Sequence, residues 1–500
     1  MRAWAARVMT VALAAATLHA AGPATTDEAV EVRLQLADLL FAESRYEEAE
    51  EAYARALHVS SAEQRARAAA GVVTSLLRRA EFRAARTRVD ALLGEAPAQA
   101  DLLALRGDAL WAGALFAEAE ASYRDALAVS PGEARALNGL ARAHAAQGRL
   151  DAARDAAAAA IALDPRQGDF HHTLGFVLER QRRFAESAAA LTNYINLLPD
   201  RDGGERALWT RQRVRLLQSF GRREPMAVAG DPDAVHTIPF RIVRDKIVVE
   251  GRVNGGRPVD FVVDTGAEMT VISNTVARQR GVSPVIYMLS AGVGQVGLRG
   301  LEVGRANTLR FGTLEVANVP VLIKNPPLRD LPTREAESFS PLAFGLSMRI
   351  DYERRLMTVA RRLPDDEAAL RLPLWQHRLT LVRGKINGAA PAHFVVDTGG
   401  EVVSLSRATA SALDLRPPRH IPLKVYGTSG WDPDAFLLPG VDLAFGRVRL
   451  DNFAVVVLNL DAPSALLGFE LGGIVGHRFL SRYRVDIDLE RSELRLASRS

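Results

Sequence analysis

From about residue 30 to residue 220 the chain is written in helical blocks: Pro97, Pro131, Pro165 and Pro199 recur every 34 residues and close each block. In the same phase Tyr46, Phe82, Phe116, Leu150 and Phe184 fall near the turn between two paired helices. Ala49, Ala85, Ala119, Ala153 and Ser187 are the small residues expected where the helices cross, and Gly107 and Gly175 fill a second close-contact position. This pattern predicts five helix pairs over about 30–201 and a capping helix over Arg206 to Phe220. Beyond residue 236 the pattern changes to apolar–polar alternation, as in Ile247 to Val253 and Leu379 to Ile386. Each of these stretches runs into Asn-Gly, a two-residue hairpin signal, before a second short apolar strand.

Both second strands end in Phe-Val-Val-Asp-Thr-Gly, at Phe261 to Gly266 and at Phe394 to Gly399. The 133 residues between Asp264 and Asp397 also separate Gly251-Arg-Val-Asn-Gly255 from Gly384-Lys-Ile-Asn-Gly388, and Pro258 from Pro391, so one unit is present twice. Each copy places a carboxylate on a loop leaving a buried strand. Gly266 and Gly399, lacking Cβ, let backbone pass close to a facing loop, and the Thr265 and Thr398 hydroxyls can donate across to it. Two facing carboxylates share a proton, so one can act as base toward a water while the other donates to a carbonyl.

Here the chain resembles the retropepsin-like and pepsin-like aspartic proteases, from Ile238 to the C-terminus. Asp264-Thr265-Gly266-Ala267 matches the family's D-T-G-[AS] motif, continued by Thr270-Val271-Ile272. The resemblance implies Asp264 and Asp397 as the catalytic pair, supported by Thr265, Gly266, Thr398 and Gly399. Ile474-Val475-Gly476 looks like the apolar element that packs under the catalytic loop, and Ala343-Phe344-Gly345 is expected to take the same place in the first copy, 81 and 79 residues after the respective Asp. On that alignment the first copy has six fewer residues before its closing strand, and a helical turn is expected to be lost. Gly400 and Val403 stand where the first copy has Ala267 and Thr270, so the second loop is expected to be held less tightly.

The family closes its cleft with a glycine-rich hairpin, the flap. Ser290 to Gly300, with Gly292, Gly294 and Gly297, lies at the right distance in the first copy, and Tyr426-Gly427 to Trp431 in the second. Gly292 to Gly297 also satisfies G-x-G-x-x-G, but a strand-like stretch follows where a nucleotide site needs a helix. The ten histidines form no H-E-x-x-H and there is no G-x-S-x-G, so no metal, no cofactor and no serine chemistry is expected. The helical half has the tetratricopeptide period, and the resemblance implies a concave face that binds protein segments or, alternatively, a spacer or dimerisation arm.

Five hundred residues are too many for one core. A net charge of +4 with no run of basic residues gives no support to nucleic-acid binding. Arg2 and Arg7 before the 11-residue apolar run Val8 to Leu18, then Ala20, Ala21 and Gly22, read as a secretory signal too short to span a bilayer. With no cysteine, neither a lipid anchor nor a disulfide is expected.

The expected architecture is multidomain α + β: an all-α tetratricopeptide superhelix, then an all-β two-lobed aspartic protease domain. The boundaries read are a signal peptide over 1–22, repeats with their cap over 30–220, a linker over 221–235 and lobes over 236–362 and 370–500, the lobes carrying their own core. The expected function is a periplasmic or secreted aspartic endopeptidase of a Gram-negative bacterium, with a peptide or protein substrate and no membrane anchor, the repeats recruiting substrate or partner. The alternatives are an inactive peptide-binding scaffold, and lobes that pair between two molecules.

Overall fold

The computed structural model describes residues 26–57, 61–95, 99–294, 299–324, 337–365, 370–388, 391–413, 421–427 and 430–498. The expected signal segment lies outside the described residues. Two compact units form, Met1–Pro97 and Ala98–Ser500.

The first unit holds the helices Thr26–Ala42, Tyr46–Ala56, Ala62–Arg78 and Phe82–Glu95. In the second, Ala100–Ala112, Phe116–Val129, Ala134–Ala146, Leu150–Leu163, Gly168–Arg180 and Phe184–Leu197 make three more pairs, followed by Glu205–Ser219. The 34-residue phase marks the turns: Tyr46, Phe82, Phe116, Leu150 and Phe184 each open the second helix of a pair. Two residues earlier the backbone is left-handed each time, at Ser44, Ala80, Ala114, Gly148 and Arg182. The amide after it bonds back to the last turn of the first helix, as in Leu115 N to Leu110 O at 2.8 Å and Arg183 N to Leu178 O at 2.9 Å. The small crossing residues are fully buried. Gly107 shows why one is needed, since a Cβ there would stand 2.3 Å from the Tyr123 ring.

Each protease lobe is built on a hairpin and a parallel pairing. In lobe 1, His236–Val243 and Lys246–Val253 form the hairpin, and Val259–Val263 pairs in parallel with Ser338–Phe339. In lobe 2 the matching strands are Leu370–His377, Leu379–Ile386, Pro391–Val396 and Gly473–Val475. Ser347–Asp351 of lobe 1 pairs with Tyr483–Asp488 of lobe 2, Met348 opposite Ile487 and Ile350 opposite Val485. One hydrogen-bonded sheet therefore ties the lobes together within a single chain. The stretch expected to be a linker contributes the strand Ala227–Val228, paired with Leu314–Lys324.

The element under the first catalytic loop is not Ala343-Phe344-Gly345. Asp264 N bonds to Phe339 O at 2.9 Å just as Asp397 N bonds to Val475 O at 3.1 Å, so Ser338-Phe339-Ser340 takes the place of Ile474-Val475-Gly476. No helical turn is lost either: the 3-10 helix Pro341–Phe344 stands where lobe 2 has His477–Leu480. The equal intervals misled because the glycine that matches Gly476 is a buried serine, Ser340, in lobe 1.

The lobes do not carry their own core in full. Trp111 and Phe116 from the repeats share one buried cluster with Trp375, Leu381, Val395 and Phe469 of lobe 2. Phe116 meets the rings of His393 at 4.9 Å and Phe469 at 5.4 Å, and Trp111 meets His377 at 5.5 Å. Glu470 N donates to Ala112 O at 2.7 Å, and the guanidinium of Arg180 caps the carbonyl of Gln376 at 3.2 Å. On the other side, Leu216 and Phe220 of the last helical segment pack on Ile286 and Val303 of lobe 1, and Arg305 donates to Ser219 O at 2.9 Å.

Candidate active site

The two D-T-G loops meet at the lobe junction and hold each other. Thr265 Oγ1 donates to Val396 O at 2.7 Å and accepts from Thr398 N at 3.0 Å. Thr398 Oγ1 reciprocates, donating to Val263 O at 2.7 Å and accepting from Thr265 N at 3.2 Å. Both threonines are buried, so each lost bond would strand a partner without water to replace it. This grip brings the carboxyl groups of Asp264 and Asp397 together, hydrogen-bonded to one another. The glycines are required by contact: a Cβ at Gly266 would lie 2.6 Å from Asp397 Cγ, and one at Gly399 the same distance from Asp264 Cγ.

Backbone amides fix the carboxylates. Gly266 N donates to Asp264 Oδ1 at 3.1 Å and Gly399 N to Asp397 Oδ1 at 2.7 Å. Burial first, then the facing Asp397, pushes the Asp264 carboxyl up to about 7, against the opposing pull of Lys324. The site therefore holds one proton near neutrality. Gly400, a departure from the family motif, has its own reason: a Cβ there would stand 2.9 Å from Asp397 Oδ2.

A second set of cross-lobe contacts surrounds the grip. Arg378, at the tip of the lobe 2 hairpin, donates to Glu268 beside the first loop at 2.8 Å. Arg478 joins Glu401 beside the second loop, at 2.6 Å, to Asp245 at the tip of the lobe 1 hairpin, at 3.6 Å. Sequence reasoning missed both, although Glu268 and Glu401 repeat at the same 133-residue offset as the aspartates.

Of the expected flap residues, Gly292 and Gly294 lie at the tip of the hairpin Pro284–Ser290 with Arg299–Phe311, and Gly294 has φ 133°. Gly297 lies outside the described residues. Tyr426 and Gly427 lie in a separate two-stranded hairpin, Val425–Gly427 with Gly430–Asp432, where Tyr426 is opposite Trp431; the Tyr426 side chain is outside the described set. The two tips touch, since a Cβ on Gly427 would lie 2.2 Å from Val293 O. Among the described residues no group of three or more His, Cys, Asp or Glu side chains could hold a metal ion.

Residues 249–331 match the family model described as "gag-polyprotein putative aspartyl protease", and residues 382–471 match "Aspartyl protease". Two tetratricopeptide repeat models match residues 30–62 and 105–168. The chain carries two retropepsin-like protease lobes behind tetratricopeptide repeats. Among solved structures, the repeats of this retropepsin-like chain are similar to a thermophilic TPR protein of Thermus thermophilus, at 19% identity over 38% of this chain and 99% of that one, with a TM-score of 0.32. They are also similar to pilF of Pseudomonas aeruginosa, at 18% identity over 40% and 86%, TM-score 0.28, and to YrrB, a TPR protein with an unusual peptide-binding site, at 20% over 36% and 90%, TM-score 0.23. Comparison with curated proteins gave no match.

Proposed function

We propose that this chain is an exported aspartic endopeptidase with one intramolecular active site, in which Asp264 carries the proton and Asp397 is the ionised base. The observation that carries this reading is the reciprocal threonine grip, which holds two hydrogen-bonded carboxyls face to face with flap-like hairpins from both lobes meeting nearby. In the reaction Asp397 takes a proton from a water lodged between the carboxyls while Asp264 donates its own to the scissile carbonyl. The resulting tetrahedral diol collapses when a proton passes to the amide nitrogen and the C–N bond breaks. Positioning by a rigid grip lowers the entropic cost of bringing water and carbonyl together. Both carboxyls come from one chain, so a second molecule is not needed to complete the pair. Export rests on the N-terminal signal pattern, and the periplasm of a Gram-negative cell is the compartment proposed.

Asp264→Asn and Asp397→Asn each remove a required proton acceptor or donor, so each is expected to lower hydrolysis of an unstructured peptide by at least about a thousandfold. Melting temperature and circular dichroism should stay near wild type. Full turnover in either variant would overturn the reading, and so would a folded wild type that binds a statine-type peptide yet hydrolyses nothing.

A further inference from the structure

The two catalytic loops are not held alike, and the difference lies in one lysine. Lys246 begins the second strand of the lobe 1 hairpin, just past a tight turn in which Arg244 and Asp245 both have positive φ, 49° and 57°. Its ammonium crosses the lobe boundary and donates to the carbonyl oxygen of Gly399, in the loop that presents Asp397. The same turn is pinned on its other side, where His477 Nδ1 meets Asp245 O at 2.8 Å, while His477 N donates to Gly400 O at 2.7 Å. Turn, helix His477–Leu480 and second catalytic loop are thus bonded in a ring. At the matching place in lobe 2 stands Leu379, which has no ammonium to offer to the first loop.

The second loop needs such a tether. Where lobe 1 has Ala267, lobe 2 has Gly400, a residue with more backbone freedom, and the contact of a Cβ with Asp397 Oδ2 forbids the alanine. We infer that Lys246 is a positioning residue for Asp397, fixing the looser catalytic loop across the lobe boundary and placing a fixed positive charge behind the carboxylate that must stay ionised. The charged groups around it are Asp245 on its own turn, Arg478 behind it, Glu401 beside the loop and Asp397 itself. His477 adds no charge near neutrality, because burial, helped by Lys246, holds its imidazole below the usual range. This role rests on the peptidase reading above.

The test compares three variants of the full chain on one peptide substrate. Lys246→Met removes bond and charge: kcat should fall about tenfold with KM within twofold, and the acid limb of kcat/KM should move up by roughly half a pH unit, because a carboxylate that loses a nearby cation is protonated more readily. Lys246→Gln keeps a donor without the charge, so its kcat should recover most of the loss while the acid limb stays shifted. Lys246→Arg should keep both near wild type. A folded Met variant with wild-type kcat and an unmoved acid limb overturns the inference, as does a loss of rate that Arg does not rescue and that leaves the pH profile unchanged. If Met fails to fold, Gln against Arg still decides through the acid limb. A wild type without turnover would instead sink the peptidase reading on which the inference stands.

Discussion

At the residue scale the site depends on contacts too close for substitution. Replacing Thr398 by valine keeps the volume but leaves Thr265 N without its acceptor and Val263 O without its donor, both buried. The expected cost is about 2–4 kcal/mol in urea unfolding, the sum of two stranded groups. Gly400→Ala should act differently: its methyl would press on Asp397 Oδ2, so kcat falls while stability changes by less than about 1 kcal/mol, whereas Ala267→Gly changes neither much. The pair of aspartates with their threonines and glycines was readable in the sequence, because the duplication exposes every position under the same constraint in both lobes. Lys246 was not. It has no counterpart in the other copy, and a side chain reaching a carbonyl 153 residues away leaves no local pattern. Ser340 was hidden by a substitution within the pattern itself, since a glycine was the landmark being sought.

Helix pairs and hairpins tell a similar story at the next scale. Proline spacing and small crossing residues were enough to place the five helix pairs, but not the left-handed residue that ends each first helix. Four of those five positions carry a side chain, Ser44, Ala80, Ala114 and Arg182, where glycine would be the usual signal. Ala80→Gly should therefore raise stability by about 0.5–1 kcal/mol in denaturant unfolding, by relieving left-handed strain in the folded state; a loss of that size would mean that helix entropy outweighs the relief. The contacts of the repeats with the protease lobes escaped the sequence altogether. Trp111 and Phe116 read as ordinary core residues of a helix pair, and only the tertiary structure shows that they also complete lobe 2. Phe116→Ala should cost about 3–5 kcal/mol, measured by unfolding, and a chain trimmed to residues 221–500 should lose soluble expression.

The whole second unit responds to pH through two groups outside the active site. His377 and His393 lie in the core shared by repeats and lobe 2, and burial pushes both imidazoles down to about 3. Among the described residues neither ring nitrogen of His393 has a hydrogen-bond partner. The unfolded chain takes up protons on these rings below about 6.5, and the folded chain does not until about 3. Their effect is absent above about 6.5 and destabilises progressively as pH falls through that window. Melting temperatures between pH 7.5 and 4.5 should therefore drop, and His393→Leu should flatten part of the slope. Asp264, raised to about 7, keeps its proton up to neutrality, so hydrolysis should decline above about pH 7. Stability on the acid side and protonation on the alkaline side leave a working range near neutral pH.

The sheet that joins the lobes has a consequence for how the molecule is made. Its lobe 2 members are Tyr483–Asp488 and Glu493–Ser498, and the support for Asp397 is Val475, all late in the chain. A polypeptide emerging from its N-terminus presents the repeats first, with Trp111 and Phe116 lacking the partners that arrive more than 250 residues later. During synthesis and export that aromatic surface needs a holding chaperone. In return, the second carboxylate cannot be seated until the final strands are in place, so a half-finished chain has no means of cutting itself or its carriers.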